Sequence, residues 1–288
     1  RKPRVLQYNA CIASPICNFR PPPLYYVFTF CNISTSSSVF IAGLWMPAFL
    51  QRKVGFPMNR DAIKMIAMFT MLLNHIANAF LPAGQPLTNA FLYIGYFTAV
   101  TMCYFLVEGY GYTRSKGKYA GRLLGFAVLA QLPYQLAFPE YGIAGFVQFN
   151  MLFTLLLCFL VLYVQEKVHD RVLRGACIVL LVCASLFCDW ALLAPVFTLL
   201  FSWAKDSRPR KQAAFLIAAA LYGGMAWMGS GLWWDALGCG VPILVSGFMI
   251  LCLYNGQRAA HGRNFYKWFF YIFYPAHLLA LGLLRICL

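Results

Sequence analysis

Acidic residues are scarce: Asp and Glu number 8 against 23 Lys and Arg in 288 residues, and charged side chains make up only 11%. A soluble domain carries about a quarter charged residues, so a water-facing enzyme shell is excluded, as is a disordered tail. There is no Cys-x-x-Cys pair and no Cys/His spacing that would hold zinc or an iron–sulfur cluster, so no metal is expected. Most of the eleven cysteines, such as Cys103, Cys158, Cys183 and Cys252, sit inside apolar runs and read as small packing residues. A basic stripe along one polar face is also missing. Lys and Arg come in short clusters between apolar runs, which argues against a nucleic-acid partner. What is abundant is apolar surface: 61% hydrophobic and 17% aromatic residues, with mean hydropathy +0.67. The first partner expected is the lipid bilayer.

The first 57 residues differ from the rest. They hold a triple proline (Pro21–Pro23), a serine run (Ser36–Ser38) and two apolar stretches too short or interrupted to span. No basic segment, continuous apolar core and small-residue cleavage site follow in signal-peptide order. The chain begins at Arg1, and Met58 stands directly before a clean apolar segment. The expectation is a poorly ordered or non-native extension over 1–57 and a single membrane domain over 58–288.

A helix needs about 20 apolar residues to cross the hydrocarbon core. Runs near 62–81, 90–112, 119–138, 147–165, 172–188, 190–204, 212–229, 236–254 and 266–286 meet or approach that length. The stretch 172–204 is split at Cys188-Asp189-Trp190 into two short helices. Lys and Arg fill the loops at 113–122, 165–174, 205–211 and 255–267, and the alternate loops hold none. With nine spans every basic loop lies on one side, which makes that side and the N-terminus cytoplasmic and puts the C-terminus outside. The fold class expected is all-α: a polytopic membrane protein of nine helices.

Ionisable and strongly polar groups inside spans are costly, and each is a functional candidate. Asn74 and His75 lie in the outer half of the first span, with Lys64, Met68, Met71 and His75 on one helical face. Glu108 closes the second span, where a structural pair with Arg122 competes with a catalytic role. Gln131, Asn150 and Thr154 read as interhelical hydrogen-bonding groups or substrate contacts. Asp189 marks a corner between two short spans. In the last span Tyr274-Pro275 kinks the helix, and His277 follows Tyr274 on the same face. Two histidines in different spans suit an acid–base centre, because imidazole titrates near neutrality. Counted along α-helical rise, both lie past the midplane toward the outer leaflet, where Asn150 and Asp189 can join them.

The ordered set Arg60-Asp61-Ala62-Ile63-Lys64, Asn74-His75, Phe105-Leu106-Val107-Glu108-Gly109-Tyr110, Lys118-Tyr119 with Arg122, Asn150 with Phe153-Thr154, Tyr254-Asn255-Gly256 and Tyr274-Pro275 with His277 resembles the TraX family over 58–288. The resemblance implies an integral-membrane acyltransferase of the bacterial inner (cytoplasmic) membrane. It implies acetyl-CoA or another acyl-CoA as co-substrate and a pilin-like or other membrane acceptor, modified at N or O. For that chemistry the candidate catalytic residues are His75, His277, Glu108, Asp189 and Asn74. Substrate contacts would come from Asn150, Gln131, Thr154, Tyr274 and Asn255. Arg114, Lys118, Arg122, Arg258, Arg263 and Lys267 would attract the donor's phosphates. The family often carries Asp before the first-span histidine, where this chain has Asn74. An amide orients an imidazole without stabilising its charge, which leaves Glu108 or Asp189 as the charge partner. A multi-spanning transporter and a non-catalytic assembly factor remain the alternatives.

Overall fold

Capping residues set where the helices begin. The computed structural model describes residues 57–139, 142–143 and 146–288; apart from Pro57, the expectation for residues 1–57 lies outside the described residues. Asn59 caps α1 (Arg60–Phe80) by accepting from the Ala62 N–H at 2.8 Å. Pro86 opens α2 (Pro86–Tyr112), where its missing N–H has no helical partner to lose. Ser115 caps α3 (Lys116–Ala137), Asn150 caps α4 (Met151–Lys167) and Asp170 caps α5 (Arg171–Ala184). After α6 (Leu193–Ala204) come α7 (Arg208–Ser230), ended by Gly231 in the left-handed region, α8 (Trp233–Phe248) and α9 (Arg263–Cys287). A π-helical turn, Met249–Leu253, extends α8.

The described part is all-helical apart from a hairpin of two two-residue strands in which Gly142 faces Val147 and Ile143 faces Phe146. That hairpin shortens the expected 147–165 run: Asn150 caps the helix, so α4 starts only at Met151. Among the described residues, five helices are long and apolar enough to cross a membrane: α1, α2, α7, α8 with its π turn, and α9. The split expected near Asp189 is present. At about 1.5 Å per residue, α5 reaches about 21 Å, short of the ~30 Å hydrocarbon core.

Side-chain bonds between helix ends show how the elements run. At one end Arg60 meets Glu108, Lys116 pairs with Glu166, Gln165 accepts from Ser202, and Arg208 donates to the Leu251 carbonyl. This end therefore gathers the N-termini of α1, α3 and α7 with the C-termini of α2, α4, α6 and α8. At the other end Asn74 donates to Leu92 O, Tyr93 to Asp235, Gln131 to Gln148 O and Arg285 to Ala137 O. The helices alternate in direction, and the basic loops share the first end. Glu166 there is held down at about 2 by hydrogen bonds from Lys116 and Tyr110.

Phe105, Phe159, Phe197, Phe201 and Phe215 fill the interior, while Phe69, Leu132, Val172, Leu180 and Phe265 stand exposed on the outside. Such an exposed apolar belt suits lipid rather than water. With little hydrophobic gain from helix association in lipid, close approach at small residues carries the packing. A Cβ on Gly95 of α2 would sit 2.2 Å from the Asn74 Cβ of α1. We expect Gly95→Leu to force α1 from α2 and to remove most folded protein from the membrane, read by monodisperse yield in size-exclusion chromatography. A normal yield would show that the two helices can separate without loss.

Candidate functional site

His75 of α1 and His277 of α9, 202 residues apart in sequence, are both buried and meet directly, with His75 Nδ1 2.8 Å from His277 Nε2. The stripe predicted on α1 explains one half of this: Met68, Met71 and His75 all turn inward. His277 Nδ1 lies 2.8 Å from the Phe273 carbonyl oxygen one turn back. A carbonyl only accepts, so His277 Nδ1 carries the hydrogen and its Nε2 is the acceptor. His75 Nδ1 must then donate to it, which leaves the lone pair of the neutral pair on His75 Nε2. A chain of two hydrogen bonds thus fixes which nitrogen can take a proton.

The surroundings are aromatic. Phe138 meets His75 edge-on with centroids 5.3 Å apart, Phe273 stacks on His277 at 4.9 Å, and Tyr274 touches both imidazoles edge-on. The Tyr274 hydroxyl accepts from the Met151 N–H at 3.2 Å. Its own proton is left to donate. In a poorly polarisable box of this kind an oriented hydrogen bond is worth more than in water.

Asn150 is fully buried, and its amide is used up. It donates to Ala127 O and Gln131 Oε1, while its Oδ1 accepts from the Leu152 N–H. Gln131 also accepts from the Asn150 N–H and donates to Gln148 O. Thr154 donates to the Asp189 carbonyl, and Asp189 N–H returns to Phe149 O. The Asp189 carboxylate accepts from the Trp190 N–H. Trp190 and Leu192 both hold left-handed backbone, and Ser185 Oγ secures the Leu192 N–H. These groups satisfy two non-helical stretches, 147–150 and 188–192, beside the histidine pair. Irregular backbone at membrane depth is tolerated only where protein supplies its partners.

The other expected site residues fall elsewhere. Asn74 does not orient His75: it donates to Leu92 O and packs on Gly95, because its side chain faces α2 rather than α9. Glu108 is not the partner of Arg122 or of the imidazoles. Its carboxylate accepts from Tyr254 Oη at 3.0 Å and faces Arg60 Nε at 3.8 Å, since antiparallel α1 and α2 bring those ends together. Neither Glu108 nor Asp189 pairs with His75; its hydrogen-bond partner is the second imidazole. Asn255 shapes a turn, accepting from the Gln257 N–H ahead of Gly256 at φ +78°. Arg114, Lys118, Arg258 and Arg263 are exposed at the basic end, and Lys267 lies over Trp268. Arg122 is half-buried over Tyr119. Arg60 and Asp61 open the motif of the family resemblance, but sequence reasoning gave them no site role; the opposite charges of Arg60 and Glu108 at the near ends of consecutive helices were a usable signal. Asp61 accepts from the Ala259 N–H and ties α1 to the loop before α9.

Fold and site together define a multi-helix membrane protein with a buried, hydrogen-bonded imidazole pair. The TraX family model, described as TraX protein, matches residues 59–285, and the chain belongs to that family. It is also 34% identical over 232 residues to the probable fimbrial assembly protein FimC, serogroup H1, of Dichelobacter nodosus, covering 75% of this chain and 91% of that protein. No solved structure matches.

Proposed function

We propose that this TraX-family protein is a membrane-bound acyltransferase that uses cytosolic acyl-CoA, acetyl-CoA first, to modify an amine or hydroxyl of a membrane or extracytoplasmic acceptor. The observation that carries the proposal is the His75–His277 pair with its lone pair on His75 Nε2. His75 Nε2 takes the proton of the acceptor as that amine or hydroxyl attacks the acyl carbonyl. His277 holds the ring and shares the positive charge through the Nδ1–Nε2 bond. Tyr274 Oη donates to the carbonyl oxygen as negative charge builds there. When the carbon–sulfur bond breaks, His75 returns the proton to the departing thiolate, giving free CoA and the acylated acceptor. Resemblance to a fimbrial assembly protein supports a pilin-like acceptor.

The orientation that fits is nine spans in the bacterial cytoplasmic membrane, with the basic end and N-terminus inside and the C-terminus outside. Reporter fusions at Gly142 and Gly231 should read outside, and those at Gly117 and Ser207 inside. An inside signal at Gly231 would overturn this arrangement.

For the chemistry, the purified protein in nanodiscs is given labelled acetyl-CoA and a membrane fraction containing pilin-like subunits. The expected result is label in the acceptor and an equal release of free CoA. If acetyl-CoA stays intact while pilus assembly still needs the protein, the relative's name describes it better, as a non-catalytic assembly factor. Movement of a solute across sealed vesicles without thioester cleavage would identify a transporter.

A further inference from the structure

At the basic end, cationic side chains outnumber their carboxylate partners. Arg60 of α1 is mostly buried, with its guanidinium over the Phe105 ring. Lys64, one turn on, rests its ammonium over two rings, Phe105 at 5.8 Å and Phe270 at 5.2 Å. Arg122 of α3 lies over Tyr119, and its buried Nε has no hydrogen-bond partner. Arg122 also hydrogen-bonds Tyr271, next on α9 to the Phe270 ring under Lys64. Arg60 and Arg122 both lie within electrostatic reach of Tyr119. Against these stand two carboxylates, each engaged: Glu108 with Tyr254 and Arg60, and Asp61 with the Ala259 N–H.

A surplus of positive charge on aromatic walls at a lipid boundary is costly unless an anion completes it. Arginine's planar fork matches phosphate oxygens in pairs, and lysine supplies a point charge. We propose that Arg60, Lys64 and Arg122 form a binding site for a phosphate-bearing anion at the junction of α1, α2, α3 and α9. The proposal deepens the acyl-donor reading and rests on it for the preferred source, the diphosphate of a CoA nucleotide. Lys64 and His75 lie eleven residues apart on α1, about 16 Å at the helical rise, within reach of an extended pantetheine arm. A phospholipid headgroup is the other source of the same chemistry. The sequence-based expectation put this role on Arg114, Lys118, Arg122, Arg258, Arg263 and Lys267; the site keeps Arg122 of these and adds Arg60 and Lys64.

The test uses the full chain in phosphatidylcholine nanodiscs with desulfo-CoA, which cannot react, followed by calorimetry. Desulfo-CoA should bind, be displaced by pyrophosphate, and lose at least tenfold in affinity in Arg122→Gln and in Lys64→Gln, but not in Arg171→Gln. Thermal melting of each variant confirms that it is folded. In a second arm, retention of phosphatidylglycerol through purification is measured in the same variants. Retained lipid that Arg122→Gln releases, with no desulfo-CoA binding, would keep the anion site, assign it to a headgroup and remove its support for the acyl-donor reading. Desulfo-CoA binding without any acyl transfer would keep the site and sink the catalytic proposal. If the two glutamine variants bind both probes as the unaltered protein does, or neither probe binds at all, the site is wrong.

Discussion

His75→Ala lowers acyl transfer by about 10²–10⁴-fold, the range that a general base supplies, with membrane accumulation unchanged. The lone pair that receives the acceptor's proton is on this residue, and the His277 Nε2 that the substitution leaves bare lies where it met His75 Nδ1, not where His75 Nε2 lies. His277 acts one step back: it touches His75 rather than the reacting atoms and fixes which nitrogen of His75 is bare. His277→Ala frees the His75 ring to turn and to change tautomer, and we expect a loss of comparable size, as when a triad loses its orienting carboxylate. His277→Gln separates positioning from bulk. Its side-chain oxygen can still accept from His75 Nδ1, so it should recover part of the activity that His277→Ala loses. The double alanine variant should be little worse than His75→Ala alone, because residues acting as a unit are not additive. Initial rates of CoA release in nanodiscs measure all four variants. Full activity in both single alanine variants would end the histidine mechanism, whatever the family membership.

The largest effect on stability is expected at Asn150. Asn150→Leu keeps the volume but removes the cap of α4, leaves the buried Leu152 N–H unpaired and takes one donor each from Ala127 O and Gln131 Oε1, the latter keeping only the backbone N–H of residue 150. A lost cap costs about 1 kcal/mol and each stranded buried group about 1–3 kcal/mol. For a domain of this size a loss of roughly 3 kcal/mol lowers the melting temperature by roughly 6–12 °C. Differential scanning fluorimetry in detergent reads the shift. A melting temperature within a degree of the unaltered protein would show that the network is not what holds 147–150 in place. Because Met151 N–H is also the donor to Tyr274, a displaced α4 start should lower acyl transfer too.

Nearly all the helices were legible in the linear sequence, for a local reason. Apolar runs, Pro86, the caps Asn59 and Ser115 and the charge-bearing loops act within a few residues of themselves, and the split at Asp189 followed from length and one buried charge. Element starts were less legible where tertiary contacts override hydropathy. Val147 and Phe149 are as apolar as the residues of α4, yet 147–149 leave the helix because the Gln131 side chain, Phe187 O and the Asp189 N–H offer their backbone other partners. The two histidines stood out as candidates because an ionisable group in a span is rare. Which charges pair was another matter. Glu108 sits as near in sequence to Arg122 as it does to many other cations, and only the antiparallel packing of α1 on α2 gives it to Arg60. Composition, helical periodicity and the segregation of Lys and Arg determined a membrane-embedded helical bundle and its candidate residues, since lipid solvation and backbone hydrogen bonding are decided locally. The tertiary structure alone decided that His75 meets His277, that Asn74 turns to α2, and that Asn150 serves the backbone, because those partnerships depend on which faces of helices up to 202 residues apart are pressed together.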